Sequence, residues 1–180
     1  MTIPDPSNKK HELRLKIRRR LRELPPDSAR VCEATRRWLA ARPELRTVAL
    51  YAALAEEVDL LPLVAWDPSR RWVFPRICGE DLAFHEVRDV ASDLLRGSAG
   101  IREPSPALPQ VQVAEVDVFL CPGLAFDANG GRLGRGRGFY DRMLANARPD
   151  AIKLGVCHPA QRVADTFPQA HDAAMDEVIS

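Results

Sequence analysis

Residues 130–142, Gly-Gly-Arg-Leu-Gly-Arg-Gly-Arg-Gly-Phe-Tyr-Asp-Arg, hold five of the chain's ten glycines and four of its arginines. Gly134, Gly136 and Gly138 carry no Cβ to block positive φ angles or the close approach of a ligand, so successive backbone N–H groups can turn toward one point. Arg132, Arg135 and Arg137 lie between and beside them and add full positive charges. The chemistry this offers is the cradling of a polyphosphate. Upstream, residues 116–122 read as a buried strand ending at a proline; downstream, Tyr140, Met143, Leu144 and Ala147 recur at spacings of three and four and predict a helix over 139–147. The glycine turn would then sit at a helix N-terminus, whose partial positive charge also favours an anion. Asp141 falls in the first helical turn, where a carboxylate is locally favoured or could face a metal ion bridging phosphates. The same stretch could be a solvated surface loop. It could also be an Arg-Gly segment that binds RNA while disordered, but such segments recur in low-complexity surroundings, and this one stands once between apolar elements.

The elements that must position this stretch belong to a folded chain. Hydrophobic residues make up 46% of 180, enough for one domain with one sizeable core. Twenty-six basic against twenty-five acidic side chains leave a net charge of +1, which argues against a general nucleic-acid or membrane-surface binder; any basic site is local. The cysteines at 32, 78, 121 and 157 have no CxxC spacing, so free thiols in a reducing cytoplasm are expected, without zinc or disulfides. The sequence shows no N-terminal apolar leader and no run of about eighteen apolar residues, so neither a signal peptide nor a membrane span is expected.

Residues 2–7 read as a loose lead-in, with Ser7 or Asn8 capping a helix that runs to about Leu24 and buries Leu13, Ile17, Leu21 and Leu24. Most basic side chains around that stripe read as a solvated face. Lys10 and Arg14 differ in lying one turn apart on one face near the helix start, where two cations could grip phosphate. Pro25 and Pro26 end this helix, and a second reaches about Ala41 with Val31, Ala34, Trp38 and Leu39 inward. The apolar run 46–52 is expected to be a central parallel strand covered on both faces. Glu56, Glu57 and Asp59 follow it, where an open α/β sheet places ligand contacts, or where they simply begin a short helix over 60–66. Residues 72–75 and 82–87 read as short strands, Pro75 marking an end or edge and His85 lying on the surface. A loop spans 97–109, with Glu103 held extended by Pro104. Residues 152–157 read as a further buried strand, and the chain closes with a polar turn and a final short strand.

Pro122-Gly123-Leu124-Ala125-Phe126-Asp127, followed by Gly130 and by Arg132-Leu133-Gly134-x-Gly136-x-Gly138-Phe139-Tyr140-Asp141-Arg142, resembles the signature of 5-formyltetrahydrofolate cyclo-ligases, also called methenyltetrahydrofolate synthetases. Lys10-x-x-Leu13-Arg14, Glu57-Val58-Asp59, Gly100-Ile101-x-Glu103-Pro104 and the series Gly155-Val156, Gln161, Pro168, His171-Asp172 and Asp176 match that family in order and spacing. The resemblance implies a single Rossmann-like three-layer α/β/α domain over 1–180 with a mostly parallel central sheet. It further implies ATP- and magnesium-dependent (Mg2+) conversion of 5-formyltetrahydrofolate to 5,10-methenyltetrahydrofolate, ADP and phosphate. The expected partners are small molecules, reduced folate and ATP, with no nucleic acid or membrane, and a monomer is expected.

Carried over by this resemblance, Lys10 and Arg14 hold ATP phosphates, while Arg132, Leu133, Gly134, Arg135, Gly136, Arg137, Gly138, Phe139 and Tyr140 wrap the triphosphate. Arg135, Arg137 and Tyr140 are the expected catalytic residues, with the transition-state role left open between the two arginines. Asp141 and Asp172 are expected to ligate magnesium, Glu57 to accept from the pterin and Ala52 to line its slot. The sequence departs from the family in having Phe139 where tyrosine is usual, Cys157-His158 where small or aromatic residues are common, and no Thr-Glu ending; positions 135 and 137 vary in the family. An ATP-dependent relative acting on another formamide or amide, or an RNA-binding module using the basic first helix, are the alternative readings.

Overall fold

A computed structural model describes residues 6–23, 27–97 and 100–180. The lead-in over 2–5, the last stripe residue Leu24 and the helix-ending Pro25 and Pro26 lie outside the described residues. The helices are α1 (Pro6–Glu23), α2 (Ser28–Ala40), α3 (Pro62–Trp66) and α4 (Phe139–Leu144). The strands are β1 (Thr47–Ala49), β2 (Arg71–Cys78), β3 (Asp81–Glu86), β4 (Leu94–Arg96), β5 (Arg102–Pro104), β6 (Gln110–Val111), β7 (Val118–Cys121), β8 (Ala125–Phe126), β9 (Arg132–Leu133), β10 (Ile152–Val156) and β11 (Glu177–Ile179).

Seven strands form one sheet in the order β11-β10-β7-β1-β2-β3-β6, parallel from β11 through β2 and antiparallel at β3 and β6. Every residue of β1 and of β7 is buried, as expected for strands covered on both faces. Alternation divides their side chains between two cores. Val48, Leu50, Trp72, Phe74 and Leu120 pack with Val31 and Leu39 of α2 and Leu63 and Val64 of α3, while Ala49, Val73, Phe119 and Cys121 pack with Met143 and Leu144 of α4. The result is the mostly parallel α/β/α arrangement. From β1 the next parallel strand, β2, lies on one side; from β7 the next, β10, lies on the other. The adjacent β1 and β7 therefore form a topological switch point, where open α/β sheets bind ligands beyond the strands' carboxyl ends.

α1 lies outside these two cores. Ile17 and Leu21 pack against Leu124, Ala125 and Leu133 around the β8–β9 hairpin, so α1 braces the segment that leads into the glycine loop. The hairpin turn is organised by Asp127, which is 2% exposed. Its Oδ1 accepts from the Asn129 and Gly131 N–H groups at 2.9 Å, and its Oδ2 from Thr166 N–H at 3.0 Å and the Thr166 hydroxyl at 2.6 Å. Burial opposes the charge on Asp127, but these hydrogen bonds overcome it and hold the carboxyl below its ordinary range.

Several expectations give way to tertiary context. α1 already includes Pro6, so Ser7 and Asn8 lie in its first turn and do not cap it. In α2, Thr35 is fully buried where Ala34 was expected inward, its hydroxyl donating to Val31 O at 2.8 Å; Trp38 is half-buried and donates to Glu177 Oε2 at 2.8 Å. Pro75 lies inside β2, beyond Val73 where the pairing with β1 stops, so its missing N–H faces no β1 partner. His85 is buried, its Nδ1 against Leu108 O at 2.9 Å. The loop expected over 97–109 contains β5, which pairs with β4, and α4 stops at Leu144, short of Ala147. No helix among the described residues is long and apolar enough to cross a membrane.

A Cβ added at Gly131 would lie 2.2 Å from both Asp127 Oδ2 and Thr166 Oγ1. Gly131→Ala is therefore expected to lower unfolding stability by about 1–3 kcal/mol, the usual range for overpacking, as read from urea denaturation. An unchanged urea midpoint would contradict the Asp127-centred turn.

Candidate active site

Beyond the carboxyl ends of β1 and β7 opens a cavity of about 880 Å³, at the large end for a small-molecule site. Lys10 and Arg14 reach it from α1, Ala52 and Glu57 from the segment after β1, and Asp172 from the C-terminal segment. Arg132 through Asp141 supply the wall between them. The structure thus brings the residues expected to hold ATP, magnesium and the pterin to one cavity, while Glu56 and Asp59 lie outside its lining.

One end is rich in cations. Arg132, 6% exposed, donates from Nη2 to Asp141 Oδ1 at 2.7 Å and lies with its guanidinium 5.3 Å from the Tyr140 ring centroid. Its Nε is buried without a partner among the described residues. Lys10, also 6% exposed, pairs with Asp172 Oδ2 at 2.5 Å and donates to Gln169 Oε1 at 3.2 Å. Arg14 donates from Nε to the Gly134 carbonyl at 3.0 Å, tying α1 to the glycine loop. Within the loop, Gly136 and Gly138 adopt φ of +100° and +68°, the left-handed region that favours glycine; Gly134 does not. Gly138 caps α4, but α4 has only six residues, so the arginines carry more of the positive potential here than the expected longer helix would require. Leu133 is buried against α1 and anchors the loop's start.

The other end is apolar and acidic. Ala52, Leu54, Pro75, Ile77, Leu82 and Ile101 form its walls, with the carboxylates of Glu57 and Glu103 among them. Glu57 accepts from Leu54 N–H at 3.0 Å and from Arg135 Nε at 3.2 Å. Tyr140 joins the two ends. Burial, with Cys121 and Glu57 nearby, pushes its phenol well above the ordinary value. Arg137 is exposed and lies over the Phe139 ring, 5.2 Å from its centroid.

A cavity with a cationic, glycine-lined end and an apolar end bearing carboxylates can hold a polyanion beside a flat heterocycle rich in N–H donors. A profile of the 5-formyltetrahydrofolate cyclo-ligase family matches residues 6–180. The chain belongs to this family. The 5-formyltetrahydrofolate cyclo-ligase of Mycolicibacterium smegmatis is 33% identical over 156 residues, covering 82% of this chain and 80% of that one. The NMR structure of Aquifex aeolicus 5,10-methenyltetrahydrofolate synthetase is 31% identical, with a TM-score of 0.81 over 94% of this chain and 88% of that one. The methenyltetrahydrofolate synthetase structure from Mycoplasma pneumoniae, 21% identical, shares the fold with a TM-score of 0.76 over 94% and 97% of the two chains.

For a cyclo-ligase, a divalent cation accompanying the triphosphate needs few protein ligands. Among the described residues no group of three or more His, Cys, Asp or Glu side chains could hold an ion alone. Asp141 and Asp172 fit the lesser demand of magnesium, which keeps several waters and takes one or two carboxylates with substrate phosphates. The Ala173 N–H reaches Asp141 Oδ1 at 3.3 Å, which brings the segment of Asp172 against α4. Arg132 engages Asp141 through Oδ1 and Lys10 engages Asp172 through Oδ2, which leaves Asp141 Oδ2 for an ion, while Asp172 Oδ1 lies 3.7 Å from His171 Nε2.

Some cavity residues were not legible as site residues. Glu103, read as part of a loop, is 4% exposed, with Oε2 3.6 Å from Arg76 and Oε1 buried without a partner among the described residues. Gln169 had no signal beyond its place before His171 and Asp172. Asp59 proves local, accepting from Leu61 N–H at 3.0 Å ahead of α3. Gln161 is structural: it donates to the Gly123 carbonyl at 2.7 Å and holds the turn after β7.

Burial opposes the charge on Asp172, but the Lys10 ammonium and the Gln169 N–H overcome it and hold the carboxyl below its ordinary range. A depressed folded-state value contributes stability above the unfolded value of about 3.9, and that stability is lost as pH falls through the folded value. Lys10→Met should raise the Asp172 pKa, followed by carboxyl-carbon NMR, and move acid unfolding to higher pH. An Asp172 titration unmoved by the substitution would contradict the pair.

Proposed function

We propose that this chain converts 5-formyltetrahydrofolate and ATP to 5,10-methenyltetrahydrofolate, ADP and phosphate in this cavity. The observation that carries the reading is that one cavity is lined both by the cationic glycine loop and by Glu57, Glu103 and apolar side chains, as a phosphoryl donor and its acceptor held side by side require. The chemistry requires that arrangement. A formamide oxygen leaves poorly as hydroxide. Attack of the formyl oxygen on the γ-phosphorus forms a P–O bond as the bond to the ADP oxygen breaks. The N10 lone pair then adds to the formyl carbon, phosphate departs with the former formyl oxygen, and the N10 proton is lost to solvent.

Such a transfer depends on positioning and charge neutralisation. Lys10, Arg14, Arg132 and the backbone from Gly134 to Gly138 hold the triphosphate, with Leu133 and Phe139 shaping its bed. Arg135 and Arg137 are the candidates for the charge that develops on the moving phosphoryl group, and the Tyr140 hydroxyl donates to an oxygen there. Asp141 and Asp172 would hold magnesium, which supplies further neutralisation of phosphate charge when bound. Glu57 accepts from pterin N–H groups, Glu103 offers a second buried acceptor, and Ala52 lines the ring slot. The same reading takes the protein as a single domain over 1–180, a cytoplasmic monomer acting on small molecules, supported by four free thiols at Cys32, Cys78, Cys121 and Cys157.

Mixing the protein with 5-formyltetrahydrofolate, ATP and magnesium should give an ATP-dependent rise in the absorbance band of methenyltetrahydrofolate. ATP binding without that rise would point to a relative acting on another formamide. Glu57→Gln should raise the folate KM about tenfold or more, as expected for losing a charge-assisted hydrogen bond, while the ATP Kd stays put. A shift in ATP Kd with an unchanged folate KM would place Glu57 on the wrong half of the site. Asp141→Asn should lower turnover most at limiting magnesium, and identical kinetics there would count against the metal assignment.

A further inference from the structure

The two halves of the cavity are bridged by Arg135. From the glycine loop it donates through Nε to Glu57 Oε1 at 3.2 Å and through Nη2 to Glu56 Oε2 at 3.3 Å, both on the segment after β1. Glu57 lines the cavity; Glu56 does not. Arg137 makes no ion pair among the described residues and lies instead over Phe139. The Arg135 charge is therefore committed to two carboxylates on the acidic side.

We propose that Glu56 is a positioning residue that stores Arg135 away from the triphosphate until folate is in place, so that phosphoryl transfer waits for its acceptor. This rests on the functional reading above, in which Glu57 receives the pterin and the glycine loop the triphosphate. Storage takes both carboxylates: when pterin N–H donors engage Glu57, its charge is partly neutralised and Glu56 alone cannot hold the guanidinium. The side chains of Arg135 and Glu56 are 32% and 27% exposed, and a pair this accessible to water is weak enough for an incoming phosphoryl group to outcompete. Arg135 is then free to stabilise the transfer, a role in which an arginine accelerates other phosphoryl-transfer enzymes about 10³–10⁵-fold.

Storage matters because water competes with the formyl oxygen. Water attacking the γ-phosphorus would form the new P–O bond as the bond to the ADP oxygen breaks, giving ADP and phosphate and releasing a proton to solvent. An arginine already on the phosphate would accelerate that reaction as well. Because Glu56 does not line the cavity, its substitution tests storage without removing a substrate contact.

The test compares wild type with Glu56→Gln, measuring ADP released with magnesium–ATP alone and the ratio of ADP to methenyltetrahydrofolate with both substrates. Wild type should split ATP slowly without folate and run at a ratio of one. Glu56→Gln should raise folate-independent hydrolysis about fivefold or more and push the ratio above one, at unchanged folate KM, with Glu56→Asp restoring much of the coupling. A ratio of one in Glu56→Gln, with no added hydrolysis, overturns the proposal, as does a wild type that splits ATP equally fast with and without folate. A wild type that forms no methenyltetrahydrofolate refutes the underlying reading instead, so the two failures are distinguishable. Should Glu56→Gln not fold, the Arg135 Nε–H NMR resonance of wild type decides: saturating folate without ATP should shift it, and an unmoved resonance overturns the proposal.

Discussion

A cation withdrawn from water must be paired, because an isolated buried charge costs far more than the fold can supply. Lys10 and Arg132 are each 6% exposed, and each meets a carboxylate from another segment of the chain. Lys10 reaches Asp172 across 162 residues of sequence, and Arg135 reaches Glu57 across 78. These pairs, with the hydrogen bond from Arg14 to the Gly134 carbonyl, fasten α1, the segment after β1, the glycine loop and the C-terminal segment to one another. Removing one partner of a buried pair typically costs about 3–5 kcal/mol, so the shape of the cavity and its charge are set by the same contacts.

That arrangement has a consequence for catalysis. Lys10 and Arg132 are held in place by the fold itself, each balanced by an acid that phosphate oxygens or a magnesium ion can relieve, and Arg135 alone has to move. Electrostatic stabilisation of this kind needs little reorganisation when charge moves from ATP to the formyl oxygen. The sheet contributes the framework, since a switch point between β1 and β7 leaves a crevice that neither flanking crossover fills. Asp127 and α1 contribute the aim, by fixing the hairpin from which Arg132 and the glycine loop project.

Much of this was legible in the sequence. The glycine–arginine stretch is contiguous, and its neighbours Val118–Cys121 and Phe139–Leu144 have clear local periods, so strand, turn and helix could be read in order. Lys10 and Arg14 stood out because helical spacing alone puts them on one face. What remained hidden depends on contacts between distant segments. His85 reads as polar on a strand, yet Leu108 supplies the carbonyl that lets it be buried. Pro75 reads as a strand end or edge, and it lies on an edge: beyond Val73, β2 continues paired with β3 alone. Glu103 sits in a proline-rich stretch whose pairing with Leu94–Arg96 no local signal announces. Glu56 and Glu57 are adjacent and chemically alike, and only the fold shows which one faces the cavity.

In the proposed mechanism the phosphoryl group of ATP reaches the formyl oxygen within one cavity. Supplying 5-formyltetrahydrofolate labelled with ¹⁸O in the formyl group, with unlabelled ATP and water, and analysing the released phosphate by mass spectrometry, tests this most directly. The mechanism predicts one ¹⁸O atom in each phosphate formed. Unlabelled phosphate, with the label appearing in water, would contradict it.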